Sequence, residues 1–288
     1  MKEIVCIEKG EDAYKTTKRA LSKLKFRVKN KKVLIKPNLV TGSFPHEGIT
    51  TDVNVCRAIL EKLENCDITI AEGGLNTEES FEKLDYNKLA LDFGIKIVNL
   101  NKDKIIKAKV KRPLQFKQIP YASSVLEFDY VISAAKLKIH SLAQVTLSMK
   151  NMFGCVPTRR NKVMIHPLIN KAIVDILQIR YPDFCVIDGI IGNQRDECRI
   201  DPVKAGIIIA GKDPIAVDTI ATKCMSIDPN EIEHINNAIK VFGDREIEVI
   251  GEKIEDVAKK FSRTIKLTTR MRYLYEGALS RCYRILNK

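Results

Sequence analysis

Short runs of consecutive apolar residues alternate with segments in which apolar residues recur every three or four positions, so strand and helix are predicted to succeed one another along most of the chain. EIVCI (3–7) reads as a strand, and Asp12 to Leu24 carries helical spacing through Ala13, Thr17, Ala20, Leu21 and Leu24. KVLIKPN is a strand stopped by Pro37. Thr51 or Asp52 then caps a helix with Val55, Ile59 and Leu63 on its apolar face, and DITIAEGG and IKIVNL read as two more strands. The second half follows the same grammar. YVISAA, FCVIDG, AGIIIAG and EIEVIG are strands, with helices from Leu168 to Ile179, from Pro214 to Met225 behind an Asp213 cap, and from Glu231 to Val241. Runs such as VLIK and ITIA are apolar on both faces, as in a sheet covered on both sides, and the crossovers between parallel strands are expected to be right-handed. The expected fold class is α/β: mostly parallel sheets covered by helices, either as two lobes (about 1–125 and 126–258) with a cleft between them or as one large sheet. Residues 259–288 are set apart as a basic C-terminal segment.

One stretch breaks the rhythm. Lys136 to His166, KLKIHSLAQVTLSMKNMFGCVPTRRNKVMIH, holds two of the four histidines, four lysines, two arginines and an Asn-x-Phe-Gly turn. Open α/β sheets place ligands beyond the carboxyl ends of their strands. Lys36 and Asn38 follow one strand, Glu72 with Gly73 and Gly74 a second, Lys136 to His140 a third and Asp188 a fourth, so these groups are expected to converge. A histidine moves protons near neutral pH, a desolvated lysine serves as nucleophile or anion anchor, and a neutral histidine binds metals. His140, Lys150 and His166 are therefore the catalytic candidates, with His166 also the candidate metal ligand. Substrate or anion contacts are expected from Lys36, Asn38, Thr51, Asp52 and Glu72, and from Lys138, Asn151, Lys162 and Asp188. Asp218, one turn beyond the Asp213 cap, is expected to point back into the cleft. His46 and His234 are read as surface residues, with His46 able to approach the cleft.

Charge changes this picture less than its size suggests. The net charge is +13, but residues 259–288 carry nine Lys or Arg against Glu276 alone, so eight of those charges sit in the last thirty residues. No helix-turn-helix, zinc-finger or RNA-recognition signature accompanies them, and nucleic acid is not the expected partner. From Arg270 to Leu286 the apolar residues recur at helical spacing, an amphipathic helix expected to pack on its own domain or a second subunit. Peripheral contact with an anionic membrane is the less favoured reading. No apolar run is long enough to span a membrane and the N-terminus lacks a secretory apolar region, so a cytoplasmic setting is expected. The eight cysteines lie at least ten residues apart, which excludes a ferredoxin-type cluster motif and predicts reduced, mostly core thiols.

VLIKPNLV, GITTD, AEGG, KLKIHSLAQVTLSMKNMFG, His166, CVIDGI and IIAGKDPIAVD, in that order from about residue 30 to residue 242, resemble the family known as domain of unknown function 362. The resemblance implies little about activity. Some members carry an appended ferredoxin module whose cysteine pattern this chain lacks. Where members tend to have a Gly-Pro-rich stretch after Asp188, this chain has Arg195, Asp196, Glu197, Cys198 and Arg199. The spacing of His140, Lys150 and His166, ten and then sixteen positions, is more distantly similar to the nickel-pincer lactate racemase family. That resemblance implies Lys150 as cofactor tether, His166 as nickel ligand and His140 as acid/base group. The second acid/base histidine of that family has no counterpart, and Glu72 stands in its place. The expected function is an enzyme that acts on a small carboxylate or phosphate metabolite by proton or hydride transfer, with a divalent metal as the candidate cofactor. The alternative is a non-catalytic metal-, cluster- or metabolite-binding accessory protein.

Overall fold

The computed structural model describes residues 2–197 and 199–263; the basic amphipathic segment Arg270 to Leu286 and Cys198 lie outside the described residues. Eight strands follow one another across one sheet in the order Glu246–Gly251, Lys2–Lys9, Ile207–Gly211, Phe184–Asn193, Tyr130–His140, Lys32–Pro37, Asp67–Glu72 and Lys96–Asn99. All neighbours run parallel except Ile207–Gly211, which is antiparallel to both strands beside it. The fold is therefore mixed α/β with a mostly parallel sheet. Of the two arrangements the sequence allows, the strands of both halves share one large sheet. The Ile207–Gly211 reversal has a local cause: only the 194–206 segment separates it from Phe184–Asn193, and that segment starts back at once through the pairs Gly192 with Val203 and Asn193 with Pro202. A parallel return would need a crossover, usually helical.

Both faces of the sheet are sealed. Val33 and Ile35 belong to one buried apolar cluster and Leu34 to the other, and the same alternation places Ile132 and Ala134 opposite Val131 and Ala135. Side chains of this size each contribute roughly 1.5–3 kcal/mol when fully buried, so a charge at Ile35 would open the central strand. The helix Ala13–Lys23 begins where the Asp12 carboxylate accepts the Lys15 amide, and it buries Ala13, Thr16, Thr17, Ala20 and Leu21. Asp213 caps Pro214–Cys224 by accepting the Ala216 amide, and also accepts Tyr181 Oη and Arg245 Nε, the structural role expected of it.

His234 is not a surface residue. The helix Glu233–Phe242 starts two residues later than its pattern suggests, and its inward face is His234, Ile235, Ala238 and Val241. His234 Nδ1 lies 3.2 Å from Asn170 Oδ1, and burial lowers the imidazole to about 3, so the ring is neutral. His46 is exposed and stacks on Phe44. Among the described cysteines, Cys6, Cys56, Cys155, Cys185 and Cys224 are buried thiols and Cys66 is half-buried. No helix among the described residues is long and apolar enough to cross a membrane.

Candidate functional site

From the Lys32–Pro37 strand the chain builds outward to Asp67–Glu72 and Lys96–Asn99, then returns to lay Tyr130–His140 on the other side of Lys32–Pro37. The crevice above such a reversal is where α/β sheets bind ligands. A cleft of about 240 Å³ lies there, lined by Lys36, Asn38, Glu72, Lys138, His140, Lys150, Asn151, Lys162 and His166 from the sequence candidates. Thr146, Phe153, Gly154, Arg159, Val163 and Glu197 also line it. The volume is below the roughly 300–1,000 Å³ of pockets that take drug-sized ligands, so the space suits a small metabolite.

The floor is a buried ion pair. Lys36 Nζ lies 3.0 Å from both carboxylate oxygens of Glu72 and 3.1 Å from Asn151 Oδ1. Glu72 also accepts the amides of Leu39 and Gly73, and Asn151 Nδ2 donates to the Lys36 carbonyl and Ser133 Oγ. The Asn-x-Phe-Gly turn closes over this pair. A Cβ on Gly154 would stand 2.6 Å from Glu72 Oε1, Lys36 Cε and Lys36 Nζ, and one on Gly73 would stand 2.2 Å from the Gly154 carbonyl oxygen. Glycine is required at both places because two backbones meet over a charged floor. Asn38 Nδ2 donates to Asn151 Oδ1, which leaves the buried Asn38 Oδ1 without a partner; the buried Thr146 hydroxyl also has none. Both residues line the cleft, where unpaired polar atoms are costly unless a ligand or water meets them.

His140 ends its strand. The turn Ser141–Ala143 folds back so that the amides of Leu142 and Ala143 both donate to His140 Nδ1, each at 3.1 Å. Nδ1 therefore carries the lone pair and the ring proton sits on Nε2. Burial first, then the neighbouring Lys150 cation, holds the imidazole well below its ordinary value, against the pull of Glu197. The neutral ring offers Nε2–H and cannot accept a proton there, so the acid/base expectation narrows to a hydrogen-bond donor. His166 sits beside it, ring centres 5.5 Å apart, and meets Phe153 in an edge-to-face contact with centres 5.9 Å apart.

The lysines differ in their partners. Lys138 Nζ donates to the Ile49 carbonyl at 2.8 Å, and Lys150 Nζ lies 5.7 Å over the Phe153 ring. Lys162 Nζ donates to the neutral amide oxygen of Asn101 at 2.9 Å. Burial, opposed by Glu72 and aided by the Lys36 cation, lowers its amine to about 8. Lys150 and Asn151 ride on the short helix Ser148–Asn151, whose first amides, Ser148 and Met149, donate to the Asp218 carboxylate. Asp218 thus supports this helix from beneath and does not line the cleft.

Three further candidates also lie outside it. Thr51 Oγ1 donates to the Ala134 carbonyl and accepts the Asn38 amide, so it ties a loop to the sheet. Asp52 caps the helix Val53–Leu60. Asp188 pairs with Lys136 at 2.8 Å and accepts the Asp52 amide beneath the 45–52 loop. Their strands do end near the cleft, but their side chains are committed to that loop. Sequence reasoning missed Glu197 and Ser141. Glu197 receives the Ser141 amide at 2.9 Å and lies 3.7 Å from His140 Nε2. No periodic signal marks a single carboxylate within a charged loop.

Among the described residues no three His, Cys, Asp or Glu side chains are grouped so as to hold a metal ion, and His140 Nδ1 is already engaged by two amides.

The lactate racemase apoprotein from Thermoanaerobacterium thermosaccharolyticum superimposes with a TM-score of 0.40 and 13% identity, covering 64% of this chain and 50% of that one. The thylakoid-associated protein sll1697 of Synechocystis sp. is 26% identical over 219 residues, which span 70% of this chain and 65% of that relative's length. The sequence profile of the domain of unknown function (DUF362) matches residues 33–223, and the chain belongs to that family.

Proposed function

We propose that the protein is a cytoplasmic enzyme that binds a small carboxylate or phosphate metabolite in this cleft and moves a proton on it. The observation that carries the reading is the company His140 keeps. Five cations, Lys36, Lys138, Lys150, Arg159 and Lys162, face one cleft with only Glu72 and Glu197 against them, and Glu72 is engaged by Lys36. Such an excess attracts an anion, and the desolvated setting strengthens each contact. The partnerless Asn38 Oδ1 would accept a hydroxyl of the ligand, which favours a hydroxy acid or its phosphate analogue.

Proton transfer follows from two groups. Lys162, with an amine at about 8, is neutral in a useful fraction of molecules near pH 7 and takes a proton from the carbon beside the carboxylate. Charge then develops on the carboxylate oxygens as an enediolate, where the fixed His140 Nε2–H and the Lys138 and Lys150 cations stabilise it. Return of the proton completes the cycle without net oxidation. No step requires a metal.

The test has two arms. Calorimetric titration with a panel of hydroxy acids, oxo acids and phosphate measures binding, and NMR in deuterium oxide follows exchange of the hydrogen beside the carboxylate. Exchange that disappears in Lys162→Met supports the reading. Tight binding of an anion with no exchange in any panel member overturns it in favour of a metabolite-binding accessory protein.

A further inference from the structure

The Glu197 carboxylate already occupies a set of donors that a bound anion would need. Its oxygens receive the Ser141 amide at 2.9 Å and the Ser141 hydroxyl at 2.9 and 2.8 Å, with His140 Nε2 3.7 Å away. The two amides on His140 Nδ1 force the proton to Nε2, so that nitrogen is a donor too. Backbone amide, hydroxyl and imidazole N–H thus converge on one carboxylate. A carboxylate held by a backbone amide and a hydroxyl, with an imidazole N–H nearby, is a charge-assisted arrangement. The cleft beyond it is cationic, and Glu197 is the one lining carboxylate not bound by Lys36 in the floor.

We propose that Ser141 N–H, Ser141 Oγ–H and His140 Nε2–H form the carboxylate subsite of the cleft, and that Glu197 fills it as an internal stand-in which the carboxylate of the substrate displaces. This rests on the reading of the cleft as an anion site and names where the anion's head group sits. It assigns Ser141 a substrate contact and gives Glu197 the part of a competitor. The displaced side chain has solvent to turn toward, since its residue is half-buried. Selection follows from the competition. A ligand with a single neutral hydroxyl does not displace a carboxylate from the two Ser141 donors, whereas another carboxylate exchanges for it at little cost.

The magnitude follows from occupancy. If Glu197 holds the donors in nine molecules of ten, apparent affinity is one tenth of the intrinsic value. Removing the competitor then tightens binding roughly tenfold. Glycolate is the probe, titrated calorimetrically into wild type, Glu197→Ala, Glu197→Gln and Ser141→Ala, with thermal unfolding to confirm that each is folded. The expected result is tighter glycolate binding in both Glu197 variants, and weaker binding when Ser141→Ala is added to Glu197→Ala. Unchanged or weakened binding in both Glu197 variants overturns the proposal while leaving the anion-binding reading intact, provided wild type binds glycolate. If neither wild type nor the Glu197 variants bind glycolate or inorganic phosphate, the anion reading fails and this inference fails with it.

Discussion

Two buried lysine–carboxylate pairs stand near the ends of neighbouring strands, and they serve different purposes. Lys36 and Glu72 lie 3.0 Å apart with side chains 1% and 3% exposed; Lys136 and Asp188 lie 2.8 Å apart at 1% and 0%. Burial and distance do not tell them apart. Their surroundings do. Lys136–Asp188 is closed over by the 45–52 loop, with Asp188 accepting the Asp52 amide and Lys136 Nζ 3.5 Å from the Pro45 carbonyl. Lys36–Glu72 instead forms the floor of an open cleft, where Asn38, Asn151 and Lys162 gather around it. A buried charge pair marks a site only when the space beside it is left for something else.

Substitutions sharpen the contrast, beginning with the most damaging. Lys136→Met strands Asp188 without its cation and should cost about 3–5 kcal/mol in urea unfolding, while anion affinity of the folded fraction stays unchanged. Lys36→Met should cost less, because Glu72 borders the cleft whereas Asp188 is closed over, yet it should weaken anion binding at least tenfold. Equal stability losses with unchanged affinity would make the two pairs equivalent and dissolve the distinction. Gly154→Ala drives a methyl group against both members of the cleft pair, and overpacking of this kind costs about 1–3 kcal/mol. Its effect should appear in both unfolding and anion affinity, whereas a methyl placed over the Lys136 pair would touch only the first.

Lys162 supplies a pH signature. With its amine at about 8, solvent exchange should rise roughly tenfold per pH unit below that value and level off above it, and Lys162→Arg should abolish the rising limb. The sign for stability is separate. The unfolded chain binds more protons between about pH 8 and the ordinary lysine value of 10.5, so wild type should gain stability relative to Lys162→Met as pH rises through that window. The smallest expected effect is Asp52→Ala. It removes a helix cap worth about 1 kcal/mol and should leave anion binding untouched, since Asp52 belongs to the closed side of the comparison.

Which of the candidates would meet was legible because of where strands stop. Lys36, Glu72 and His140 each end an apolar run, and parallel strands deliver such residues to one edge. Lys150, Asn151, Lys162 and His166 come from the segment that interrupts the strand rhythm, and they reach the same cleft. The errors have a common physical cause. Asp52, Asp188 and Asp218 sit at the same kinds of positions as the cleft residues, but each carboxylate accepts backbone amides, and a sequence does not show which amides will need an acceptor. His234 lies at i, i+4 and i+7 spacing from Ala238 and Val241, so it shares their buried face, and a polar imidazole hides that position in a reading based on apolar residues. The two acceptor contacts on His140 Nδ1 depend on the path of the Ser141–Ala143 turn and have no sequence signature.

The sequence by itself determined the α/β class, the strand ends that carry charge and the chemistry assembled near them, because hydrophobic periodicity and strand termination are local properties. Tertiary structure alone decided that both halves share one sheet, that one strand runs backward and that one lysine pair is sealed while the other opens. It also decided that Glu197 faces the Ser141 and His140 donors. These depend on contacts between residues 36 to 136 positions apart, and burial, tautomer and proton affinity follow from those contacts and from no residue considered alone.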